Sequence, residues 1–136
     1  MTRTEKLQEL YSRVSSLNED LPKELMDKLS LYGQILEYIG RFHADATKAW
    51  KLAEAKRRET IASAIVYGAE AAGMEIKTAK DREAAAEVIG AKARQEEALT
   101  EAEAQRWKNA YISTQEMIQI LKKKYDHLKE VAKGGV

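Results

Sequence analysis

The chain has 136 residues, 33% of them charged, and Lys+Arg 23 against Asp+Glu 22 leaves a formal net charge of +1. That balance supplies no global field for capturing nucleic acid or an acidic membrane. There is no cysteine and only one proline, which excludes disulfide frameworks and thiolate metal sites and, with abundant Ala, Glu, Lys, Leu and Arg, favours long helices over strands.

The first predicted element is a short helix over about 4–17, where Leu7, Leu10, Val14, Leu17 and Leu21 alternate by three and four. So narrow an apolar seam suits a partner helix. Asn18-Glu19-Asp20-Leu21-Pro22 follows; Asn18 can end one helix, and Pro22 suits the first turn of the next, whose N–H has no intrahelical partner in any case.

From there the helical pattern runs over 21–72, roughly 75 Å at about 1.5 Å per residue. Its lower half is rich, with Leu25, Leu29, Tyr32, Ile35, Leu36, Ile39 and Phe42. Its upper half thins to Ala46, Ala49, Trp50 and Ala53, crosses Lys56-Arg57-Arg58-Glu59, and resumes at Ile61, Ile65 and Tyr67. Gly33, Gly40 and Gly68 each cost about 1 kcal/mol inside a helix relative to alanine. Either the close approach of another backbone or a gentle kink accounts for them. A turn is expected at Gly73-Met74-Glu75-Ile76-Lys77, with Gly73 in a left-handed helix end. Thr78 with Asp81 forms a near capping box. The second long helix then covers 79–132, through Ala84, Ala85, Ala86, Val88, Ala91, Ala98 and Ala102 to Trp107, Tyr111, Ile118, Leu121, Tyr125 and Leu128. The Gly134-Gly135-Val136 tail is expected to fray.

Twenty of the 21 alanines fall between Ala44 and Ala110. Folding about the turn pairs residue i with roughly residue 149 minus i, which brings the two alanine stretches together and the two aromatic stretches together. The reading is all-α and coiled-coil-like: one helical domain over 1–136, comprising an N-terminal helix (1–20) and a long antiparallel hairpin (21–133) with an Ala-rich tip. The same register leaves residues 1–20 without a partner on the second helix, so the N-terminal helix either folds back as a third member or reaches another subunit. A buried methyl contributes about 0.8 kcal/mol against about 1.5–3 for a leucine, and ordering each residue costs about 1–2 kcal/mol of backbone entropy. A homo-oligomer is therefore expected, through Leu7, Leu10, Val14, Leu17 and Leu21 or through the alanine faces, with Trp50, Trp107 and Tyr111 as anchors.

No pattern supplies catalytic, metal or cofactor residues. His43 falls in a seam position, His127 is remote from it, and neither has Glu three residues before it, the spacing of di-iron bundles. No Gly-rich phosphate loop or nucleophile elbow occurs. Basic clusters at Lys56-Arg57-Arg58 and Lys122-Lys123-Lys124 have two readings. One is ion pairing, with Glu96, Glu97, Glu101 and Glu103 facing the first cluster and Asp126 and Glu130 beside the second. The other is phosphate contact. No apolar run approaches the ~20 residues of a membrane span, and no apolar stretch follows Met1-Thr-Arg-Thr-Glu-Lys to act as a signal peptide. A cytoplasmic protein is expected.

Three stretches, Trp50-Lys51-Leu52-Ala53-Glu54-Ala55, Lys80-Asp81-Arg82-Glu83-Ala84 and above all Arg106-Trp107-Lys108-Asn109-Ala110-Tyr111-Ile112-Ser113-Thr114-Gln115-Glu116, resemble a family of small helical proteins from tailed phages and prophages of Gram-positive bacteria. The similarity covers roughly residues 40–130 and leaves out the N-terminal helix. The family is usually encoded among early genes for recombination and replication, so the resemblance implies a host-cytoplasm location and an accessory role in phage DNA metabolism. It transfers no catalytic residue. Three functions follow as expectations: a non-enzymatic, self-associating binding protein beside that machinery, a direct single-stranded DNA binder, or a phage inhibitor of a host protein.

Overall fold

The computed structural model describes residues 1–68, 73 and 77–134. Among the described residues three α-helices form: α1 (Arg3–Ser15), α2 (Pro22–Ser63) and α3 (Ala79–Ala132). A π-helical turn at Ala64–Gly68 continues α2, and the described residues contain no strand. The expected all-α architecture holds, with α2 and α3 packed closely as a hairpin behind one short helix.

Local chemistry sets the helix ends. Thr2 caps α1, its Oγ1 accepting from the Glu5 N–H at 3.1 Å. The Ser16 N–H turns back to the carbonyls of Arg13 and Val14, ending α1 two residues short of the expected boundary. The Asn18 side chain then accepts from the Asp20 N–H at 3.0 Å, and α2 starts at Pro22 as the fixed proline φ favours. Thr78 caps α3 by accepting from the Asp81 N–H at 3.1 Å, while the Asp81 carboxylate accepts from the Lys77 N–H. Gly73 has φ +73°, the left-handed conformation expected of it. Met74, Glu75 and Ile76 of the expected turn, residues 69–72 of the expected first long helix, and Gly135-Val136 of the tail lie outside the described residues.

The α-helix does not run unbroken toward residue 72, because it widens to π geometry over Ala64–Gly68. Ile65, Val66 and Tyr67 are weak α-formers whose bulky side chains crowd the preceding turn.

The residues divide into two compact units, Met1–His43 with Trp107–Val136, and Ala44–Arg106. The division falls where the aromatic stretches give way to the alanine stretches. In the first unit α1 folds back on α2, the first of the two placements open to it. Leu7, Leu10 and Val14 bury against Leu31, Ile35 and Ile39, and Phe42, Trp107 and Tyr111 pack around that cluster. Phe42 and Trp107 stack at 4.6 Å between ring centroids. Burial pushes the Tyr11 phenol above its ordinary value; neighbouring Tyr32 adds to the shift, and a hydrogen bond with Thr114 opposes it.

In the second unit the seam is built from methyl groups: Ala53, Ala64, Ala85, Ala86, Ala93 and Ala104 are buried. A Cβ added at Gly90 would lie 2.6 Å from Ile61 Cγ1, so the Ile61 side chain packs directly on the α3 backbone where only glycine leaves room. Pairs such as Ile61 with Gly90 and Arg57 with Glu97 stand within a few residues of the expected register. The phase of the seam differs from expectation, however. Ala84, Val88, Ala91, Ala98 and Ala102 are exposed, as are Ala49, Ile65 and Tyr67 on the other strand of the hairpin. Alanine occurs on both sides of α3, so counting it does not tell the inner side from the outer.

Candidate interaction surface

The second unit inverts the usual amphipathic arrangement. Most of its buried residues are alanines, and several of its large apolar ones point out. Leu52 is 62% exposed and Leu99 67%, and Val66, Tyr67 and Val88 are similarly uncovered. Leu52 and Leu99 belong together: stepping nine residues back from Ile61 and nine forward from Gly90 reaches them, so they share one level of the hairpin. Leu52 immediately precedes buried Ala53, and Leu99 precedes half-buried Thr100. In two antiparallel helices, the residues just before the seam project to the same side of the pair. This phase places Leu52 and Leu99 on one side.

Lys56 and Glu59 continue the α2 row at helical spacing, and Glu96 and Lys92 continue the α3 row. Each of these also precedes a seam position. A groove of about 550 Å³ lies on this side, lined by Lys56, Glu59, Thr60, Tyr67 and Ile89 among others, and a smaller one beside it is bordered by Lys56, Lys92 and Glu96. Lys56 pairs with Glu96 at 3.9 Å across the hairpin. Glu59 and Lys92 have no ion-pair partner among the described residues. The surface is an apolar pair flanked on both helices by alternating charge.

The basic cluster at 56–58 is largely neutralised within the chain. Arg57 donates from Nε to Glu97, while Arg58 reaches back to Glu54 at 3.0 Å, where Lys51 also pairs at 3.6 Å. Lys51 Nζ stands 4.4 Å from the Trp50 ring centroid. The Trp50 Nε1 and Thr47 Oγ1 atoms are buried without a hydrogen-bond partner.

The other expected site residues lie in the first unit. Leu7, Leu10 and Val14 are covered by α2 of the same chain, Leu17 packs at the edge of that cluster, and Leu21 is 49% exposed. The seam expected to join subunits is thus filled from within, and only an exchange of α1 between chains would free it. Trp107 meets Phe42, and Tyr111 packs 3.5 Å from the position a Gly40 Cβ would take. Lys122 and Lys123 are exposed. Lys124 instead donates to Glu19 at 3.0 Å and Asp20 at 2.9 Å in the loop before α2, and Lys28 donates to Glu19 at 3.1 Å. Hydrogen bonds from Lys124 and Lys28 hold the Glu19 carboxyl below its ordinary value, and those to Asp20 and Glu19 raise the Lys124 ammonium. The acids nearest Lys124 in sequence, Asp126 and Glu130, are not the ones that engage it. Of the six residues offered for phosphate contact, four are held by acids of the same chain.

His43 is half-buried and His127 exposed. Among the described residues no group of three His, Cys, Asp or Glu side chains could hold a metal ion, and no helix is long and apolar enough to cross a membrane. Fold and surface together define an all-α helical hairpin with an outward-facing apolar row. No protein family, curated protein or solved structure matches the chain.

Proposed function

We propose that the chain is a non-catalytic helical binding protein that self-associates, works in the host cytoplasm and serves phage DNA recombination or replication as an accessory. The observation that supports self-association is the outward placement of Leu52 and Leu99 on a unit whose own seam is made of alanine. Methyl groups return roughly a third of what a leucine seam does per contact, so covering the exposed leucines is where further stabilisation is available. The phage setting rests on the resemblance in Trp50–Ala55, Lys80–Ala84 and Arg106–Glu116.

Sedimentation equilibrium across micromolar concentrations tests the first part. A mass above 15.3 kDa that rises with concentration supports it, and a fully helical monomer throughout refutes it. Direct single-strand binding is less well supported, because Lys56, Arg57, Arg58 and Lys124 are already paired. Retardation of single-stranded DNA at low salt that vanishes on replacing Lys122 and Lys123 by Ala would reinstate it.

A further inference from the structure

The row on the second unit is complementary to itself, and in one orientation only. We infer that a second copy of this chain docks face to face on the Leu52/Leu99 side of 44–106, with the two-fold axis running along the hairpin, so that α2 of each copy lies over α3 of the other. This rests on the self-association reading and specifies its geometry.

Charge selects this orientation. With the axis along the hairpin, residues at equal levels meet across the interface. Leu52 covers Leu99 of the second copy, Lys56 meets Glu96, and Glu59 meets Lys92. Each contact occurs twice, as an isologous interface requires. Glu59 and Lys92, which stand at one level but find no ion-pair partner among the described residues of their own chain, are each supplied with one. The competing two-fold lies across the hairpin at the leucine level and sets each helix on its own copy, running the other way. Counting outward from Leu52, Lys56 would then meet Lys48 and Glu59 would meet Asp45. Like charges face each other in that arrangement, and juxtapositions of this kind reject a docking mode more effectively than attractive pairs reward one. The first geometry gives a four-helix bundle, whose leucines sit at the centre of the contact with charged pairs beyond them, the distribution typical of an interface with a buried anchor and polar rim.

The absence of cysteine in the chain makes the geometry directly testable. Two single variants, Leu52→Cys and Leu99→Cys, are mixed, allowed to exchange, and treated with a short bis-maleimide. The expected result is a covalent dimer from the mixture and little from either variant alone, because position 52 faces position 99 of the other copy. Self-crosslinking of each variant by itself overturns the proposed axis while leaving self-association standing. As a second measurement, Leu52→Lys and Leu99→Lys are expected to weaken association by roughly tenfold or more with the far-ultraviolet helical signal unchanged. Association undiminished in both overturns the proposed face. A wild-type chain that is monomeric by sedimentation removes the underlying reading as well.

Discussion

Alanine substituted for glycine at two helical positions should change stability in opposite directions. At Gly33 a Cβ would meet nothing within 4 Å, so Gly33→Ala gains only the reduced backbone entropy of the unfolded chain and the better helix propensity, about 0.5–1 kcal/mol. At Gly90 the new Cβ would lie 2.6 Å from Ile61 Cγ1 and 3.3 Å from Cδ1. Ile61 Cγ1 is next to a branch point and has little freedom to retreat, and overpacking of this kind costs about 1–3 kcal/mol. The propensity gain offsets part of that, leaving Gly90→Ala about 0–2 kcal/mol destabilising. In a chain of this length 1 kcal/mol corresponds to about 3 °C in Tm. Circular dichroism at 222 nm should therefore place the Gly33→Ala transition about 2–3 °C above wild type, and Gly90→Ala at or below it. The Gly90 penalty should disappear in an Ile61→Ala background, since the obstructing carbons are gone. Equal stabilisation by both substitutions, or a Gly90 penalty that persists without Ile61, would show that the helices are not in close contact at this level.

The Lys124 contacts predict a pH dependence. Glu19 has its carboxyl pKa lowered in the folded chain, so its contribution is present above the ordinary carboxylate value of 4.5 and lost as pH falls through the lower folded value; Lys124→Gln should lower Tm at pH 7, by an amount that shrinks steadily as pH is taken below 4.5. Because the buried Trp50 Nε1 has no partner, Trp50→Phe removes a polar group whose desolvation costs about 1–3 kcal/mol and should leave Tm within about 3 °C of wild type. Trp107→Ala, which deletes the stack on Phe42, should instead cost about 3–5 kcal/mol in denaturant titration. Thr78→Ala removes the cap on the Asp81 N–H and should cost about 1 kcal/mol, seen as faster amide exchange confined to the first turn of α3.

Helix ends were legible in the sequence because they depend on neighbours. Asn18 with Pro22, and Thr78 with Asp81, state their own geometry within four residues. The leucine-rich halves were legible because Leu25, Ile35, Ile39 and Leu121 are large, and their spacing separates an inside from an outside. The alanine halves were not, since an alanine tolerates either side of a helix, and the seam shifts to include Gly90, which periodicity of apolar residues does not mark. That same phase decides which way Leu52 points; it follows Trp50 and Lys51 in a string whose anchor is obvious and whose outward leucine is not. The partners of Lys124 could not be read locally, because Glu19 and Asp20 are more than a hundred residues away along the chain.

That separation has a bearing on biogenesis. Leu7, Leu10 and Val14 find Leu31, Ile35 and Ile39 within one short stretch of sequence, so a helical pair with its own apolar cluster can assemble while the ribosome is still producing α3. Contacts so close in sequence form early. The lysine at position 124 emerges more than a hundred residues after its partners and fastens the loop between the first two helices only then, which makes it a late latch and not a nucleus.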